Sequence, residues 1–167
     1  ANGVTFRHSN RTMLVAVCTD RVIHVVVSPT KEISESNVPS VSRPCSGNPF
    51  KLSSTADSVS IKTSSLDVVI DRMSLAVKFE NSDGQTVLAE QANNGRAITP
   101  IEIGQVPCSE VRKDFLLSPD EALYGLGQHQ EGFLNVRDIP TELLQANTTI
   151  DIPFVVSTKG YGLLWNN

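Results

Sequence analysis

Apolar and polar residues alternate along much of this chain, with the two-residue period of a strand rather than the 3.6-residue period of a helix. Residues 12–18 and 21–27 are rich in Val, Ile and Thr and are joined by the short Thr19-Asp20 link, which predicts a hairpin. In 58–63, Val59 and Ile61 share one face while Ser58, Ser60 and Lys62 share the other. Residues 66–70 form a more continuous apolar run, and 73–80 alternate again, with Met73, Leu75, Val77 and Phe79 on one side. A further strand is predicted at 87–89, after Asp83-Gly84, a dipeptide that tolerates the positive φ of a tight I′-type hairpin turn.

Two stretches break the pattern. Residues 28–48 carry Pro29, Pro39 and Pro44 among many serines and read as a long surface loop. Residues 92–106, with Asn93-Asn94-Gly95 and Pro100, also read as irregular. Strand patterns resume after each, so neither is read as a domain boundary. Helix signals are confined to Ser118-Pro119-Asp120-Glu121, whose spacing is that of a capping box with proline at the first helical position. Gly125 and Gly127 follow at once, so this predicts one short helical turn near 118–123. The expected fold is a single all-β domain spanning 1–167, a mostly antiparallel β-sandwich.

Composition narrows the function. The chain has 167 residues, enough to bury a substantial core, with 40% hydrophobic and 19% charged residues. A net charge of -4 and the lack of a basic stripe argue against nucleic acid as a partner. No apolar run approaches the roughly 20 residues of a membrane-crossing helix, so no membrane partner is expected. Cys18, Cys45 and Cys108 are too widely spaced for a Cys-x-x-Cys metal knuckle. Neither a metal nor another cofactor is expected, and three buried thiols are preferred to one disulfide plus a free thiol. Asn10-Arg11-Thr12 and Asn147-Thr148-Thr149 are glycan acceptors only in a eukaryotic secretory setting. No leader is legible at Ala1, which a mature exported chain would also lack; the location stays open, with secreted or periplasmic favoured over cytoplasmic.

Candidate chemistry gathers in residues 120–135, DEALYGLGQHQEGFLN. Gly125-Leu126-Gly127 lacks the third glycine of a dinucleotide fingerprint, and no Gly-Lys-Ser/Thr follows. His129 and Glu131 are two apart and would share a strand face, a pairing capable of acid–base chemistry. A structural role for them is preferred. The glycines are expected at positive φ or at a close backbone approach, with Tyr124 an anchor whose hydroxyl is hydrogen-bonded. Gly160-Tyr161-Gly162 reads as a hairpin turn and Lys159 as a solvated turn residue.

The strings FLL at 115–117, EALYGLGQHQEG at 121–132, LQANTT at 144–149 and IPFVVSTKGYGLLWNN at 152–167 resemble the N-terminal domain of glycoside hydrolase family 31, the α-glucosidases and α-xylosidases. The specific match covers about 115–167. The resemblance implies a galactose-mutarotase-like β-sandwich followed, after residue 167 of the parent protein, by a catalytic (β/α)8 barrel. That barrel would carry the two carboxyl groups which retaining hydrolysis of α-linked sugars needs about 5–5.5 Å apart. No nucleophile motif is present here, so no catalytic residue is assigned. The implied role is to pack on the barrel and lend a loop to the subsites that hold the α-linked oligosaccharide. Gln145, Asn147 and Thr149 are the substrate-side candidates; Asn147 stands where some members carry aspartate. The alternative that these residues simply begin the next strand stays open. Two other functions compete: an independent carbohydrate-binding module, disfavoured by aromatics of only 5%, and an aldose-1-epimerase-like enzyme, suggested by fold alone.

Overall fold

The computed structural model describes residues 2–8, 11–33, 45, 47–130 and 132–166. The chain divides into two compact units, Ala1–Leu116 and Leu117–Asn167. All strand pairs are antiparallel, and among the described residues there is no helix.

The first unit opens with a three-stranded sheet, β1 (Gly3–His8), β2 (Arg11–Val17) and β3 (Ile23–Ser28), with β2 in the centre. The predicted first hairpin is β2–β3, although its connection is longer than Thr19-Asp20, running through residues 18–22. A second sheet holds β4 (Lys51–Ser54), β5 (Ser58–Lys62), β6 (Leu66–Asp71), β7 (Val77–Asn81) and β8 (Thr86–Glu90) in sequence order. Met13, Val15 and Val17 of β2 are fully buried in one cluster with Ile61, Val68, Ile70 and Val77 of the second sheet, so the two sheets face each other across a common core. Cross-strand register explains the clustering: Ile61 lies opposite Val68, and Ile70 opposite both Val59 and Val77. Each such side chain contributes roughly 1.5–3 kcal/mol by leaving water.

The alternation in 73–80 is only half realised. Asp71 Oδ1 accepts from Ser74 N and Ser74 Oγ, both at 2.6 Å, and turns the chain before β7 begins. Met73 is therefore 90% exposed rather than on the core face, while Leu75 reaches the core from a left-handed φ of 56°. The Asp83-Gly84 hairpin forms, but only Gly84 has positive φ, and Gly84 N donates to Asn81 O. This is a three-residue turn closed by a left-handed glycine, not a I′ turn.

Within 92–106, residues 92–95 form a turn, as expected, but the rest belongs to a regular strand hairpin. β9 (Arg96–Ile103) and β10 (Val106–Lys113) form a long two-stranded ribbon, turned by Gly104-Gln105 with both φ values positive. Its side chains are mostly exposed, so no core face imposes an alternation. Pro100 and Pro107 are tolerated because each strand of a two-stranded ribbon has an open edge. β11 (Phe115–Leu116) then returns to pair with β8. Cys18 and Cys45 form a disulfide closing a separation of 27 residues, contrary to the expectation of three thiols, and Cys108 is free and half-buried. Most of the loop predicted at 28–48, and Asn10, lie outside the described residues.

The second unit is a three-stranded sheet of β12 (Leu123–Gln128), β13 (Ile150–Ser157) and β14 (Gly162–Leu164), with β13 central. The capping box before it forms in part: Glu121 Oε2 accepts from Ser118 N at 2.9 Å, and Glu121 N donates to Ser118 O at 3.1 Å. One turn results, and the chain enters β12 before a helix can form. β12 is pinned to β13 from Leu123, opposite Ser157, onward.

Candidate functional site

The glycines of β12 create a kink that only they permit. Gly125, Leu126 and Gly127 all have positive φ, at 125°, 65° and 103°, and the register against β13 slips between the two glycines. A Cβ on Gly127 would lie 1.8 Å from Ile150 O, and one on Gly125 2.4 Å from Phe154 O. Both expectations for these residues, positive φ and close backbone approach, hold. At the 157–160 turn, Gly160 has φ 82° in open space, whereas a Cβ on Gly162 would strike the Phe154 ring at 2.6 Å.

His129 sits just beyond the bulge. Its Nε2–H donates to Leu126 O at 2.9 Å, and the same nitrogen is 3.6 Å from Asp151 Oδ1. Asp151 therefore stands where Glu131 was expected; Glu131 lies outside the described residues. The Asp151 side chain is only 8% exposed, and among the described residues neither of its oxygens has a hydrogen-bond partner. The ring nitrogen is committed to a backbone carbonyl, so the pair braces the bulge rather than presenting an acid and a base to solvent.

Glu121 is a hub whose full role was not legible. It is 4% exposed and accepts from Ser157 Oγ and Tyr161 Oη, both at 2.5 Å, besides Ser118 N. Burial pushes its carboxyl up, but the hydroxyls of Ser157 and Tyr161 and the Ser118 N–H outweigh that and hold it below its ordinary value. The Tyr161 phenol is pushed well up, first by burial and then by its bond to Glu121. The anchoring tyrosine with a bonded hydroxyl is thus Tyr161; Tyr124 lies half-buried on β12 opposite Val156. Arg137 clamps the same turn, donating to Ser118 O at 2.5 Å and Glu121 O at 2.7 Å. Nothing in its sequence neighbourhood signals this. Lys159, read as a solvated turn residue, is exposed in the turn and pairs there with the exposed Asp120 at 2.9 Å.

The loop before β13 holds the substrate-side candidates. Gln145 Oε1 accepts from Asp151 N at 3.1 Å, and Gln145 Nε2 donates to Thr149 O at 3.0 Å, so its amide closes the loop on itself. Thr149 N turns back to Ala146 O, and Gln130 Nε2 holds Thr148 Oγ1 at 2.7 Å. Asn147 is exposed at the apex, and among the described residues its side chain takes no hydrogen bond. Three or more His, Cys, Asp or Glu are nowhere close enough together to hold a metal among the described residues.

The most unusual feature is the outer face of β13. Ile150, Ile152, Phe154 and Val156 point to one side, as strand period requires, and are 51%, 49%, 38% and 44% exposed. Leu164, opposite Phe154 on β14, extends the same face at 42% exposed. The other side of β13 carries Asp151, Val155 and the buried Ser157.

These features define an all-β sandwich chain whose second unit carries a glycine-bulged sheet. Residues 12–167 match the family model described as the glycosyl hydrolase 31 N-terminal galactose mutarotase-like domain, and the chain belongs to that family. It is 36% identical over 109 residues to an α-xylosidase of Saccharolobus solfataricus, a stretch covering 56% of this chain and 15% of that protein. The crystal structure of the family 31 α-xylosidase from Xanthomonas citri superimposes with a TM-score of 0.91 at 33% identity, over 99% of this chain and 18% of that one. A family 31 α-xylosidase from a soil metagenome, solved with xylose, gives 0.83 at 25% identity, over 99% and 27%. A Flavobacterium johnsoniae dextranase shares the fold at 19% identity with a TM-score of 0.77. The chain thus spans less than a third of each of these larger enzymes.

Proposed function

We propose that this chain is the non-catalytic N-terminal domain of a retaining α-glycosidase of α-xylosidase or α-glucosidase type. In this reading both units serve as one domain of the parent, packing on its catalytic barrel. The observation that carries it is the bare apolar face of Ile150, Ile152, Phe154, Val156 and Leu164. A continuous apolar surface of this kind marks a site that another body covers. The loop of Gln145, Asn147 and Thr149 precedes that strand directly, and Asn147 offers an unengaged amide, both donor and acceptor, to a sugar hydroxyl. The Cys18–Cys45 disulfide supports maturation in an oxidising compartment.

The test uses aryl α-xyloside and α-glucoside hydrolysis. The chain alone is inert, and mixing it with the separately expressed remainder of the parent enzyme restores turnover. Ile152→Lys with Phe154→Lys blocks that restoration, whereas Asn147→Ala permits it and raises KM. Turnover by the isolated chain, lost on changing one of its own carboxylates, refutes the proposal.

A further inference from the structure

A second site lies wholly within the first unit. Glu90 Oε2 accepts from Val77 N at 2.8 Å and Arg96 Nη2 at 2.9 Å, and pairs with Lys113 Nζ. The three charged side chains are 5%, 15% and 8% exposed. Two buried cations thus share one carboxylate, leaving a net positive charge in a protein whose net charge is -4. Arg96 also reaches Leu75 O at 3.4 Å and Met13 Sδ at 3.5 Å, and both of those residues line a cleft of about 230 Å³. Arg96 and Lys113 line it too, with Arg11, but Glu90 does not, and among the described residues no other carboxylate does. Of the neighbouring acids, Asp71 is held by Ser74, and Asp114 pairs with Arg112 while its charge also acts on Lys113.

We propose that this cleft binds a small hydroxylated carboxylate of the sugar-acid type. A buried excess charge is costly unless neutralised. Here a bound anion supplies a further partner on the side where Arg96 and Lys113 line the cleft. Gln91 and Asn94 offer neutral polar groups for hydroxyls, and Val27 and Met73 an apolar surface for a ring face. The alternative is that Lys113 sheds its proton; burial already holds it below its ordinary value. In that case the cleft has no use for an anion.

The site is independent of the role proposed above and is tested on the full chain. Amide resonances are followed by NMR during titration with sodium glucuronate, glucose or sodium sulfate at constant ionic strength. Glucuronate is expected to give saturable shifts around 74–76, 91–96 and 113, weakening as salt rises, while glucose gives none. Lys113→Met weakens binding roughly tenfold or more, the effect of losing a charge-assisted bond. Arg11→Gln, at an exposed position on the rim, weakens it less and carries the test if the first variant does not fold. No saturable shift with glucuronate overturns the proposal, and binding of glucose equal to glucuronate does the same. Sulfate binding as tightly as glucuronate overturns the sugar-acid assignment.

Discussion

A left-handed backbone can be required by a turn or by a neighbour, and Gly84 and Gly127 separate the two cases. At Gly84 a Cβ meets nothing within 4 Å, so Gly84→Ala costs only the left-handed strain, about 1–2 kcal/mol. At Gly127 the Cβ overlaps Ile150 O at 1.8 Å, and no rotamer change relieves a clash with backbone. Gly127→Ala is therefore expected to unfold the sheet of the second unit, read by loss of amide protection in β12 and β13, while Gly84→Ala leaves a native spectrum with a slightly lowered Tm. A native spectrum for Gly127→Ala contradicts the close approach described here. The glycine pair was legible from sequence because two glycines around Leu126 have few other uses. Asp151 was not legible as the partner of His129, because nothing in the chain between 129 and 151 indicates which strand returns beside the bulge.

Elements are held by buried polar hubs that sequence shows only in part. Glu121 ties the 118–121 turn to the end of β13 and to Tyr161. Its carboxyl lies below the ordinary value of 4.5 in the fold. Its contribution is therefore full above that value and lost as pH falls through the depressed one. Trp165, the only tryptophan, belongs to the same unit and reports on it by fluorescence. Acid titration is expected to release the tryptophan signal at pH below 4.5, and Glu121→Gln to flatten that dependence while lowering stability at neutral pH. An unchanged acid transition in the variant assigns the effect to other carboxylates. In the first unit, Glu90→Ala leaves Arg96 and Lys113 without their partner and is expected to cost about 3–5 kcal/mol in urea unfolding. The capping spacing at 118–121 named Glu121 correctly but gave it a helix, because the pull of the β13 pairing is invisible locally.

At the scale of the molecule, two compact units share a chain with a contiguous apolar face on β13 left partly exposed. The Cys18–Cys45 link fixes the end of the long loop to the first sheet, and by the entropy of a 27-residue closure its reduction is expected to cost about 3–4 kcal/mol. Differential scanning calorimetry with and without reductant measures this, and an unchanged Tm would show that the link is not formed. The all-β class, the strands β2, β3 and β5 to β8 and the family of the chain were legible in the sequence alone, since alternation, β-branched residues and a long motif are local signals. Tertiary structure alone decided the β9–β10 ribbon, the cysteine pairing, the Glu121 and Glu90 hubs and the bareness of β13. Each of these depends on which distant segments meet, and burial, unlike periodicity, is a property of neighbours that the chain does not name.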